Sequence, residues 1–131
     1  MPASTLIGMS QGHGPPGWPR AVPPPDAPEW REAAVPWLLD QCPADYRGYP
    51  VWRRRPEALA WVAAKHVAAQ VEAMRSAYRV ARVELADQVG PEALVEVLAA
   101  LEAEGLRLRA TARATELVAQ AMSGTRFVPR L

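Results

Sequence analysis

Hydrophobic positions in the second half of the chain recur at alternating spacings of three and four. Ala64, Val67, Val71, Met74, Tyr78, Ala81 and Leu85 keep this rhythm unbroken. It is the a/d seam of a helix that packs on a partner along its length. Leu94, Leu98, Leu101, Gly105, Leu108, Ala112, Thr115, Ala119 and Met122 continue it in a second stretch. Pro56 suits the first turn of a helix and Glu57 suits its positive dipole end, so the first helix is predicted over about 56–89. Gly90 reads as a C′ stop and Pro91-Glu92 as a restart, giving a second helix over about 91–122, before Ser123-Gly124.

A short joint between two long helices predicts an antiparallel hairpin, in which positions summing to about 180 face each other. Leu94 then meets Leu85, Leu98 meets Ala81 and Leu108 meets Val71. Gly105, which costs about 1 kcal/mol inside a helix, falls opposite Met74 and Tyr78. A missing side chain facing two large ones reads as a packing solution rather than a hinge.

The first helix carries a second apolar stripe at the same spacing: Leu59, Val62, His66, Ala69, Ala73, Ser76, Val80 and Val83, with charges on the flanks. A helix apolar on two faces is built to be sandwiched, and the second helix covers only one face. The cover for the other is either the Trp-rich N-terminal region or a second copy of the chain. The candidate interaction surface is therefore Leu59, Val62, His66, Val80, Val83, Trp37 and Trp52.

The first half is punctuated by proline. Residues 1–28 include GHGPPGWPRAVPPPDAP, which forbids helix and central strand and predicts a disordered or polyproline II tail, able to serve as a ligand for a Pro-binding domain. Residues 29–39, EWREAAVPWLL, are helical in pattern but broken at Pro36, which is expected to begin a second short helix. Residues 40–56, DQCPADYRGYPVWRRRP, are too broken for a helix and too aromatic for a floppy linker; they read as an ordered strap laid over something apolar. The predicted fold is all-α: a disordered or extended tail over 1–28, then a single helical domain over 29–131 with short helices and strap at 29–55, the hairpin at 56–122 and a C-terminal tail at 123–131, with dimerisation as one way to complete it.

Composition narrows the function. The 131 residues hold 15 Lys and Arg against 14 Asp and Glu, a net charge of only +1, unlike a generic nucleic-acid-binding chain. Arg fills every basic position but Lys65, the signature of a GC-rich, bacterial coding style. A sole cysteine, Cys42, forbids an intrachain disulfide. The opening residues lack the basic start and the roughly 7–15 apolar residues of a signal peptide, and no run approaches the ~18–20 apolar residues of a membrane span. The expected location is cytoplasmic.

The sequence contains no Gly-rich phosphate loop, no C-x-x-C and no H-E-x-x-H. His66 reads as a packed histidine. A Cys42–His66 nucleophile and base pair requires the strap to fold onto the first helix and lacks an orienting acid. A ligand pocket between strap and hairpin, near His66 and Trp61, is the weakest reading. No catalytic residue, metal or cofactor is predicted, and the chain is expected not to be an enzyme.

Charge is segregated. Residues 1–46 hold two bases and five acids, residues 47–82 eight bases and two acids, residues 83–104 six acids and no base, and residues 105–131 five bases and one acid. Folded as a hairpin, the chain is expected to have an acidic turn end and a broad basic region. Arg53, Arg54, Arg55, Arg107, Arg109 and Arg113, with Tyr49, Trp52 and Trp61 interleaved, are the candidate polyanion site. The competing reading is neutralisation by the acidic segment Asp26–Asp45 or by another copy. The leading expectation is a non-enzymatic, self-associating helical protein–protein interaction or scaffold module, whose partner is itself or another protein. The alternative is a small nucleic-acid-associated protein using the arginine-rich end.

Overall fold

The computed structural model describes residues 14–124. The first thirteen residues of the expected N-terminal tail and most of the C-terminal tail lie outside these residues. The architecture is all-α. Helix α1 spans Trp30–Asp40, a 3-10 turn Ala44–Gly48, α2 Val51–Arg54, α3 Pro56–Glu84 and α4 Pro91–Met122. The two long helices pack against each other as an antiparallel hairpin, and α1 crosses one end of it.

Helix α3 opens on Pro56, whose missing N–H and fixed φ suit the first turn. It closes at Glu84, five residues before the predicted end. Reversing the chain over the about 8–10 Å between packed helix axes needs more than one residue. Residues 85–90 supply the turn, with the amides of Gln88 and Val89 donating to the Leu85 carbonyl. Gly90 is correspondingly not a left-handed stop: it is the N-cap of α4 in extended conformation, φ −71° and ψ 167°, and its carbonyl accepts from the Leu94 amide.

Pro36 does not split α1; the helix runs through it. An interior proline costs about 3 kcal/mol where its ring meets the preceding turn. Here it lies on the exposed side, while Trp30, Ala34, Val35, Leu38 and Leu39 bury the opposite side against the hairpin. Burial on both sides of the proline holds the helix together, and the lost hydrogen bond faces water.

Residues 14–28 form a series of turns rather than an extended tail. The amides of Trp18, Val22 and Ala27 donate to the carbonyls of Pro15, Pro19 and Pro24. The Trp18 indole N–H donates to the carbonyls of Val22 and Pro23, and its ring meets Trp30 edge-on at 5.5 Å. Glu29, at φ +58°, is the one non-glycine residue with positive φ among those described. That left-handed step swings the chain from the proline turns into α1. Gly17, at φ +92°, passes so close to α4 that an added Cβ would lie 3.0 Å from Arg113 Cγ.

The core therefore sits at one end of the rod. Val22 and the buried face of α1 close over Leu59, Ala60 and Ala63 of α3 and Val118, Ala121 and Met122 of α4. Beyond residue 67 in α3, and before residue 108 in α4, only Ala81 and Leu98 are fully buried. Among the described residues, the seam there holds two helices and nothing else.

Candidate interaction surface

The strap follows α1 and covers one half of the second apolar stripe of α3. Tyr46, in the 3-10 turn, stacks on Trp52 at 5.1 Å with the rings 7° from parallel, and its hydroxyl lies 2.7 Å from His66 Nε2. His66 also meets the Tyr46 ring edge-on at 5.2 Å. Leu59 is fully buried, so it is a core residue and not an interaction surface. Val62, Trp37 and Trp52 are partly buried packing on that core, and His66 is engaged by Tyr46. Five of the predicted surface residues are thus covered by the chain itself. The other two, Val80 and Val83, lie past the reach of the strap, with Val83 82% exposed.

The six arginines do not converge. At about 1.5 Å per residue and with the hairpin register, Arg55 stands roughly 25 Å along the rod from Arg107. Arg53 donates to the Arg47 carbonyl. Arg107 is held by two hydrogen bonds to Glu104, at 2.8 and 2.6 Å, a pairing that lowers the Glu104 carboxyl and raises the guanidinium. Arg107 and Arg109 border different hollows. Arg113 packs against Gly17. The aromatic partners are also taken: Trp52 by Tyr46, and Trp61 by Lys65 at 5.8 Å from its ring. Of the acidic segment 26–45, Asp40 is the residue that forms an ion pair among the described residues, and its partner is Arg47.

The tip itself, residues 83–96, carries Glu84, Asp87, Glu92 and Glu96 and no base; below it the charge is arranged differently. In this register Arg75, Arg79 and Arg82 of α3 lie level with residues 98–105 of α4. Below the tip, charge is therefore split sideways between the two helices. The ion pairs in the middle of the rod, Arg75–Glu72 and Arg107–Glu104, stay within single helices.

Two hollows flank the hairpin. One, about 270 Å³, lies where the strap meets the rod and is bordered by Asp40, Cys42, His66, Gln70, Arg107 and Leu108. The strap does bring Cys42 and His66 to one place. Burial, however, pushes the Cys42 thiol up against the opposing pull of Arg47, which keeps it protonated. Asp40 is engaged by Arg47, and among the described residues the hydrogen-bond partner of the imidazole is the Tyr46 hydroxyl rather than an acid. Trp61 does not border this hollow. No group of three His, Cys, Asp or Glu residues among those described could hold a metal ion.

The other hollow is a groove of about 300 Å³ in the bare half of the hairpin. Val71, Met74, Tyr78, Leu101, Gly105 and Leu106 line it, with Arg75, Glu102 and Arg109 at its rim. The facing of Met74 and Tyr78 by Gly105 is as the register requires, but the space is not filled. A Cβ on Gly105 would meet nothing within 4 Å. Leu106 is 62% exposed beside the groove and Val95, a few turns closer to the loop on the same side of α4, is 67% exposed. Sequence reasoning missed this stripe. Val95, Ala99, Glu102 and Leu106 keep the same spacing of four and three, and that signal marks a second apolar side on α4 as well.

No helix among the described residues is long and apolar enough to cross a membrane. No family model, curated protein or solved structure matches the chain.

Proposed function

We propose that this chain is a non-enzymatic helical interaction module that associates with itself. The observation that carries this reading is the asymmetry of the rod. At one end three layers seal a core; at the other, two helices share a seam whose residues Val71, Met74, Tyr78, Leu85, Leu94 and Leu101 stay half-buried. Two helices alone bury too little apolar surface to be a stable unit. A third and fourth helix from another copy supply what the strap does not reach.

Light scattering across a wide concentration range tests it. A mass that rises from one chain to two as concentration increases is expected. A monomer that persists at high concentration overturns the reading. The arginines, spread along the rod and in part already paired, do not favour a nucleic-acid site.

A further inference from the structure

We infer that the dimer forms at the groove beside Gly105, with two copies side by side, both turn ends pointing the same way, and α3 of each lying against α4 of the other. This rests on the self-association proposed above and specifies where and how it occurs.

Three observations converge on that arrangement. The groove is apolar, open and left unfilled by the described residues, because Gly105 offers no side chain and none of them enters the space. At its lip stands Leu106, an exposed side chain of the size such a hole accepts. A two-fold axis parallel to the rods places each copy's α4 over the other's α3 at the same height. Leu106 is level with residue 74, so each copy's Leu106 enters the other's groove beside Met74 and Gly105. Knob and hole are reciprocal, as an isologous interface demands.

Charge fixes the direction. Arg75 borders the groove, Arg82 lies over the Tyr78 ring that lines it and Arg79 falls between them along α3, whereas α4 from 91 to 104 carries Glu92, Glu96, Glu102 and Glu104 and no base. Among the described residues, Arg79 and Glu102 form no ion pair. With turn ends together, Glu102 of one copy lies level with residue 78 of the other, between Arg75, Arg79 and Arg82. Turning one copy end over end instead lays α3 on α3, which takes Arg79 and Arg82 away from Glu102 and sets them against a helix whose basic residues include Lys65 and Arg75.

A charge exchange tests the arrangement. The first variant carries Glu102→Arg, the second Arg79→Glu with Arg82→Glu; all three positions are exposed, and circular dichroism verifies that the variants stay helical. Each variant alone is expected to sediment as a monomer at concentrations where the wild type is a dimer, and an equimolar mixture is expected to recover the dimer. Gly105→Leu fills the hole and is expected to weaken association at least tenfold, about 1.4 kcal/mol, with helicity retained. If the wild type dimerises and these variants dimerise equally well alone, this interface is wrong while self-association stands. If single variants dissociate and the mixture does not recover, the direction of pairing is wrong. A wild type that stays monomeric removes both.

Discussion

The Tyr46 hydroxyl sits 2.7 Å from His66 Nε2, twenty positions along the chain, and fastens the strap to the middle of α3. The same tyrosine is sandwiched by contacts to Trp52 and Tyr49. One side chain therefore joins three segments. A net contribution of about 1 kcal/mol is usual for such a hydrogen bond. Tyr46→Phe is expected to lower stability by about that amount in urea unfolding, with the ring stack kept. Tyr46→Ala removes the stack too and is expected to cost about 2–4 kcal/mol.

Leu59 and Val83 lie on one predicted stripe but in opposite surroundings. Leu59→Ala opens a cavity in the core and is expected to cost about 3 kcal/mol. Val83→Ala, at a position 82% exposed, is expected to shift stability by less than about 0.5 kcal/mol. Equal losses at the two sites in denaturant melts contradict a core confined to one end.

Gly105→Ala adds a Cβ into open space inside a helix. Both the gain in helix propensity and the lowered entropy of the unfolded chain act in its favour, by about 0.5–1 kcal/mol. Its thermal midpoint is expected to rise. A fall indicates that the glycine answers a steric need that the open groove does not display.

Cys42 holds its proton because burial disfavours the thiolate. Alkylation near neutral pH is expected to run slower than for a free thiol and to accelerate in denaturant. The sign for stability follows from the same shift. A raised thiol pKa means the unfolded chain binds fewer protons at alkaline pH, so this group's contribution is full below the ordinary thiol pKa and is lost as pH rises through the raised value of the folded state. Cys42→Ser is expected to flatten that alkaline decline.

The hairpin is legible in the sequence because its seam repeats without interruption and its register needs only one turn. Pro56 and Pro91 mark both helix starts correctly. What misleads is local punctuation read without its surroundings. Pro36 looks like a break, yet Val35 and Leu38 are pinned on both sides of it. The proline-rich residues 14–28 look like a mobile tail, yet Trp18 and Val22 anchor them by burial, a long-range effect that composition does not encode. Arg53 and Arg113 share a sign and a neighbourhood in the charge count, but the rise of the helix separates them. The groove escapes notice because a glycine opposite large residues has two solutions, filled or open, and only coordinates distinguish them.

Glu29's left-handed step and the sealed base of the rod have a kinetic corollary. Amide hydrogens should exchange along a gradient, fastest around the loop at 85–90 and slowest where Leu38, Leu59 and Val118 meet. Opening then begins as an unzipping from the loop, and whatever molecule clasps that tip slows exchange there first, long before the protected base reports its presence.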